Sequence, residues 1–84
     1  MENKIGAVAE TGAADLERYI IVHCNELLAM RGMKIYRIAV TSDSVSGSEV
    51  YKYMQGKHRP TLLFVNHVCN QLHITMAEFF ADYK

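Results

Sequence analysis

The chain has 84 residues, of which 50% are hydrophobic, and its nine basic side chains balance nine acidic ones. This length fits one domain with a modest core, and the apolar content argues against disorder throughout. No apolar run approaches the ~20 residues that a membrane-spanning helix needs, and the N-terminus lacks the pattern of a secretory signal. We therefore expect one cytoplasmic domain without a membrane partner.

The first part of the chain divides into an arm and a helix. Residues 1–14 are small and polar, which predicts a flexible N-terminal arm or a frayed helix start before a domain at residues 15–84. From Asp15, apolar residues recur at intervals of three and four, so we predict a first helix. Gly32 is expected to end it, because glycine readily adopts the left-handed backbone that follows many helices.

Both cysteines lie inside apolar helical patterns and have no CxxC spacing. Cys24 and Cys69 are therefore expected to be buried, reduced thiols, with a disulfide or a metal role as the alternative. The four histidines show no zinc spacing with either cysteine: His23, His58, His67 and His73. We expect no metal and no cofactor.

A second helix is predicted at residues 34–41, with Ile35, Ile38 and Ala39 on its buried face. Its start is poorly capped, because Met33 and Lys34 offer no side-chain oxygen to the free backbone N–H groups. A lysine there also opposes the helix dipole. A bound phosphate would relieve both defects, and water at the cap is the alternative.

A turn at residues 42–44 leads into a third helix. This helix opens with a capping box, Ser46 with Glu49, and Gly56 ends it. Apolar residues face inward, and a polar set lies on the opposite side. A basic loop follows, and its Pro60 blocks any continuous helix.

A fourth helix is predicted at residues 61–72, with a core stripe of Leu62, Val65, Val68, Cys69 and Leu72. His73 occupies the position where a glycine or asparagine usually ends a helix. A second capping box, Thr75 with Glu78, opens a short final helix that ends near residue 79 or 80. No segment alternates with a period of two, so we predict no sheet.

In order and spacing, these patterns resemble the Cro and phage-repressor type (XRE-like) of helix-turn-helix domain over residues 16–80. The resemblance rests on residues 35–39, on residues 45–62 with their Gly-Lys-His-Arg-Pro loop, and on residues 72–80. It implies an all-α, five-helix, lambda-repressor-like fold whose helices 2 and 3 form the helix-turn-helix. The implied function is sequence-specific binding of double-stranded DNA by a small transcriptional repressor, with the third helix in the major groove.

The resemblance also implies which residues contact DNA. Base contacts fall to five residues of the third helix: Gly47, Ser48, Glu49, Tyr51 and Lys52. Phosphate contacts fall to six residues around it: Lys34, Arg37, Gln55, Lys57, His58 and Arg59. Charge is distributed accordingly, because residues 33–60 carry five basic and two acidic side chains, a net +3. The alternative is a solvated surface charge at each basic position and, for Glu49, a purely local use in the capping box.

One small domain reads few base pairs, so useful affinity is expected from a homodimer on a symmetric site. Leu63 and Phe64 lie on the side of the fourth helix that is usually polar in this family, which predicts a dimer contact. The N-terminal arm could instead cover this pair. Two rival dimer contacts are Ile21 with Val22 and Phe80 with Tyr83.

Other functions have less support. No nucleophile–base arrangement, glycine-rich phosphate loop or set of paired carboxylates is visible, so we expect no enzyme and no separate small-molecule domain. The competing function is a protein-interaction or antitoxin-like module on the same fold, with weak or no specific DNA reading. Gly47 favours it by offering no side chain to a base, as do the neutral overall charge and the extra residue in a turn that has Asp43 where the family has glycine.

Overall fold

The computed structural model describes residues 3–83, and it describes side chains from residue 14 onward. Within these residues it contains four α-helices and no strand: α1 (Asn3–Met30), α2 (Gly47–Met54), α3 (Leu62–Leu72) and α4 (Met76–Phe79). A 3₁₀ turn, Ile35–Arg37, lies between α1 and α2. The all-α class is confirmed for the described chain, whereas the expected count of five helices is wrong.

The first helix is longer than predicted, because its described backbone starts at Asn3 and runs for 28 residues. Residues 3–14, which were assigned to the arm, therefore form the first part of α1. Residues 1 and 2 lie outside the described chain. The flexibility of the arm stays a prediction. Buried Ile20, Cys24 and Leu28 follow one another at intervals of four and form its inner face. None of the described helices, including α1, is both long and apolar enough to cross a bilayer.

The end of α1 confirms the role of Gly32, which adopts a left-handed φ of 63°. The Met33 N–H donates to the Leu28 carbonyl oxygen at 2.8 Å, and the Gly32 N–H donates to that of Ala29 at 3.1 Å. This pair of hydrogen bonds is the Schellman motif, which satisfies carbonyl groups that the last helical turn leaves free.

The predicted second helix is wrong: residues 34–41 form only the 3₁₀ turn. Lys34 at its N-cap makes no side-chain capping hydrogen bond, so the free N–H groups of a longer helix would lack a partner. Its β-branched residues, including Ile35, Val40 and Thr41, also have weak helix propensity. Because the first helix of the expected motif is a single turn, the helix-turn-helix is not confirmed.

The later helices begin at the predicted caps. In the capping box of α2, the Glu49 N–H donates to Ser46 Oγ at 3.3 Å and the Ser46 N–H donates to Glu49 Oε1 at 3.2 Å. Thr75 and Glu78 make the same pair of bonds at α4, with distances of 3.0 and 2.7 Å. His73 ends α3 with a left-handed φ of 59°, as its position predicted.

One apolar core joins α1, the 3₁₀ segment, α2, α3 and α4. On α3, Val65, Val68, Cys69 and Leu72 are buried as predicted, but Leu62 is 66% exposed and was wrongly assigned to the core. Phe64, which was expected to be exposed, is completely buried and stacks on Tyr53 with ring centroids 4.4 Å apart. The buried face of α3 is thus centred on Phe64 rather than on Leu62.

Candidate nucleic-acid interface

The outer face of α2 carries a polar stripe, which consists of Ser48, Tyr51, Lys52 and Gln55 and is called the α2 stripe below. These residues lie at intervals of three and four and are all exposed, so they share one side of the helix. On the opposite side, Val50 is 0% exposed and Met54 is 5% exposed. Burial of that inner side fixes which way the α2 stripe faces.

Gly47, the first residue of α2, has a packing role that the sequence did not reveal. A Cβ atom at this position would lie 2.6 Å from the Ala39 carbonyl oxygen, which is too close for any side chain unless the backbone moves. The Gly47 N–H also donates to Thr41 Oγ1 at 3.0 Å. The glycine lets the start of α2 approach the segment after the 3₁₀ turn, and it offers no side chain to a base.

Glu49 serves the helix cap, which was the alternative to a base contact. Its Oε1 accepts hydrogen bonds from the Ser46 N–H and from Ser46 Oγ, at 3.2 and 3.1 Å. These two bonds, together with the nearby charges of His58 and Lys52, hold the pKa of the Glu49 carboxyl below its usual value. The side chain is therefore a fixed anion beside the α2 stripe and is already hydrogen-bonded locally.

The residues predicted to contact phosphate differ in exposure and in whether they already pack against other side chains. Lys34, Arg37 and Lys57 are exposed, as is Gln55. His58 is half-buried and packs edge-on against Tyr53, with ring centroids 5.3 Å apart. The exposed lysines and arginines on both sides of α2 offer positive charge, whereas His58 is partly committed to packing.

Arg59 already has a partner within the chain. Its Nε and Nη2 atoms lie 3.0 and 2.9 Å from Oε2 of Glu17, which belongs to α1. The Arg59 side chain remains 82% exposed, so this ion pair is largely solvated and is worth at most about 1 kcal/mol. A phosphate contact by Arg59 would require the guanidinium to leave or share Glu17.

A buried histidine, His67, contacts the segment that precedes α2, and the sequence analysis did not predict this contact. His67 is 2% exposed, with Nε2 lying 2.8 Å from the Ile38 carbonyl oxygen and Nδ1 lying 3.0 Å from Ser42 Oγ. A carbonyl oxygen can only accept, so Nε2 carries the proton, and Nδ1 accepts from the serine hydroxyl. The sequence analysis considered this histidine only for zinc spacing, because its apolar neighbours one helical turn earlier, Leu63 and Phe64, were predicted to be exposed.

Ser42, which contacts His67, also makes hydrogen bonds within the turn before α2. Its Oγ lies 3.3 Å from the backbone nitrogens of both Ser44 and Val45, and its own N–H donates to the Val45 carbonyl oxygen at 2.8 Å. Because Val45 immediately precedes the capping residue Ser46, the His67–Ser42 contact ties the start of α2 to α3.

The dimer contact as predicted is wrong in one of its two residues. Phe64 belongs to the core, but Leu63 is 58% exposed and adjoins Leu62, which is also exposed. Of the rival residues, Val22 is 47% exposed and Tyr83 packs against Tyr19, with ring centroids 5.0 Å apart. Phe80 also packs against Tyr19, at 6.1 Å, and Ile21 is half-buried. Cover of Leu63 by the arm would involve side chains outside the described residues.

The two cysteines are both free and buried. Burial, and to a smaller extent the charge of Cys69, raises the pKa of the Cys24 thiol to about 12. Burial also raises the pKa of Cys69, with a smaller contribution from Glu78. Since the thiolate is the form that reacts and binds metals, both groups behave as small apolar residues.

Comparisons with protein-family models, with curated proteins and with solved structures found no match to this chain.

Proposed function

We propose that this protein binds double-stranded DNA through the α2 stripe and acts as a small transcriptional repressor. The main observation in support is that one side of α2 is polar and exposed, whereas Val50 and Met54 on the other side are buried in the core. The sequence concentrates a net charge of +3 in residues 33–60, the segment that contains this helix. A fixed polar stripe with positive charge around it is the minimum that a duplex-facing helix requires.

The dimensions of α2 suit this role. An α-helix with its side chains is about 10–12 Å across, so a helix such as α2 can enter the major groove, which is ~12 Å wide. Ser48 can donate to or accept from several bases, and Lys52 can reach a guanine edge or a phosphate. Tyr51 can stack or contact a phosphate, while Lys34, Arg37, Lys57 and Gln55 would hold the backbone without reading sequence.

Limited base contact is the expected consequence of the packing at Gly47. Most of the affinity would then come from phosphate contacts, which carry no sequence information and weaken steeply with salt. Useful specificity would require two copies on a symmetric site, so we also propose a homodimer. Leu63, together with Leu62, supplies the exposed apolar pair for that contact.

A protein-interaction or antitoxin-like module is the second candidate function. Three observations favour it: the 3₁₀ turn in place of a second helix, the close approach at Gly47, and the engagement of Arg59 by Glu17. The first removes one helix of the expected motif, the second leaves no side chain at a position assigned to base contact, and the third gives Arg59 a competing partner.

Selection of random duplexes on the purified protein, at a stated salt concentration, separates the two candidates. Enrichment of a palindrome is expected for a specific repressor, and uniform recovery with measurable affinity would leave only nonspecific DNA binding. Absence of any duplex binding at low salt would overturn the proposal and favour the interaction module.

The face itself is tested by replacing single charges. Lys52→Ala should reduce the slope of log affinity against log salt by about 0.9, the value for one lost phosphate contact. Arg18→Ala is the matched control, because Arg18 is an exposed cation on α1 outside residues 33–60. Equal affinities and slopes for the two variants would show that α2 does not face the duplex.

A further inference from the structure

A second surface lies between α1 and the C-terminal end of the described chain. It differs from the proposed DNA contacts in its position in the sequence and in its composition. It is a groove of about 650 Å³, called the α1–α4 groove here, and its walls include Glu78 and Asp82. None of its lining residues belongs to the α2 stripe or to the basic set around it. The groove therefore does not overlap the proposed DNA contacts.

The floor of the α1–α4 groove is one face of α1. Tyr19, His23, Leu27 and Met30 line it at intervals of four, four and three, so they follow the helix for about 16 Å. Met30 is 80% exposed, so among the described residues this end of the floor presents a large, uncovered apolar side chain. Methionine is flexible and polarizable, and surfaces that bind apolar helices use it often.

The groove is rigid at its aromatic end. The Tyr19 hydroxyl donates to the Phe79 carbonyl oxygen at 2.6 Å, which ties α1 to α4. The His23 ring stacks on the Tyr19 ring with centroids 4.9 Å apart, and it meets the Phe79 ring edge-on at the same distance. A ligand would thus find this part of the surface already formed, which lowers the ordering cost of binding.

The rim of the groove is acidic. Of the described residues that line it, Glu26, Glu78 and Asp82 are acidic and none is a lysine or an arginine. Burial and then the charges of Asp82 and Glu26 raise the pKa of the Tyr19 phenol, which agrees with carboxylates that face the floor. Such a rim repels nucleic acid and attracts positive charge.

We propose that the α1–α4 groove docks a cationic amphipathic helix of a partner protein. The apolar floor would receive the i, i+3, i+4 and i+7 anchors of that helix. Glu26 and Asp82 would meet lysines or arginines that flank the anchors, and Glu78, whose Oε1 accepts from the Thr75 N–H, would add negative charge. Acidic rim and apolar floor together select this occupant, because an anionic helix would be repelled and a purely polar one would leave Met30 uncovered.

The test uses fluorescence anisotropy with a synthetic 14-residue helix that carries leucines at anchor positions and lysines elsewhere. The matched probe replaces every lysine by glutamate. The full-length chain should bind the lysine probe in a salt-sensitive manner and should not bind the glutamate probe. Equal binding of both probes, or binding of neither at 100-fold excess of protein over probe, would overturn the proposal.

Variants then locate the site. Glu26→Gln with Asp82→Asn should weaken binding of the lysine probe about fivefold, since each exposed charge pair is worth a fraction of a kcal/mol. Met30→Ser should weaken it about tenfold by removing apolar contact area. Asp15→Asn is the matched control, because it removes an exposed carboxylate from α1 outside the groove and should leave the affinity unchanged.

All four positions are on the surface, and circular dichroism melts will show that the variants fold. Unchanged affinity in both groove variants would overturn the assignment. A second copy of this chain is the remaining occupant: self-association in sedimentation that the same substitutions abolish, with no uptake of the lysine probe, would assign the groove to it and overturn the proposal of a cationic partner.

Discussion

Residues 35–46 and residues 61–80 are stabilised in different ways. The first segment leads into α2 and depends on His67, which lies 29 residues from its contact at Ile38. The second contains α3 and α4 and supplies its own caps at Thr61 and Thr75. All three helices begin at local caps, and what distinguishes the segment before α2 is that a buried side chain distant in sequence, His67, also holds it.

The largest expected effect comes from removing the distant anchor. His67→Ala should lower the free energy of unfolding by about 3 kcal/mol, because it leaves the Ile38 carbonyl oxygen unpaired and creates a cavity. Urea titration measures the change. Asn66→Ala, at the exposed neighbouring position of α3, is the control and should alter stability by less than about 0.5 kcal/mol. Similar values for the two variants would refute the anchoring role.

Gly47→Ala tests the close approach between α2 and the segment after the 3₁₀ turn. The added Cβ would meet the Ala39 carbonyl oxygen at 2.6 Å, so the backbone must shift at an expected cost of about 2 kcal/mol. The higher helix propensity of alanine offsets less than about 1 kcal/mol of this. Thermal or urea unfolding should show a loss, and Ser48→Ala should show almost none. A more stable Gly47→Ala protein would mean that the two segments are not in contact.

His73→Gly sharpens the local side of the comparison. His73 has a left-handed backbone at φ 59°, which a non-glycine residue adopts at a cost of about 1 kcal/mol. Glycine removes that cost, so we expect a gain of roughly 0.5–1 kcal/mol in unfolding free energy. Gly56→Ala, at the left-handed residue that follows α2, is the converse control and should lower the free energy of unfolding by a similar amount. No gain at position 73 would indicate that its side chain contributes contacts of its own.

Glu17→Gln has the smallest expected effect on folding and tests whether α1 restrains the basic loop. Loss of its exposed pair with Arg59 should change stability by less than about 1 kcal/mol. Under the proposed function, the freed guanidinium should add up to one phosphate contact and steepen the salt slope of duplex binding by about 0.9. Glu17→Gln with Arg59→Ala should return the slope to that of the parent. An unchanged slope in the single variant would show that Glu17 does not restrain Arg59.

Those elements that the sequence predicted correctly have short-range causes. The capping boxes at Ser46 and Thr75 join residues three apart, and the left-handed ends at Gly32 and His73 involve one residue and its helix. The α2 stripe was also predictable, because the 3.6-residue period of a helix assigns the polar and the apolar residues of α2 to opposite sides.

Two of the three main errors have long-range causes. The third is local, because residues 34–41 have a helical pattern but no capping side chain and weak helix propensity, and a single 3₁₀ turn forms there. Phe64 was placed outside because its position is usually polar in the resembled family, yet its ring stacks on Tyr53 of α2. Arg59 was assigned to phosphate because nothing in the sequence pairs it with Glu17, 42 residues away.

The sequence by itself determined an all-α chain, the positions where α2, α3 and α4 begin, and the polar side of α2, because capping and periodicity act within a few residues. Only the tertiary structure decided how the segment before α2 is held, which apolar side chains stay exposed, and that an acidic groove forms between α1 and α4. Those features depend on residues that are distant in the chain and adjacent in space, and no local pattern records which residues will meet.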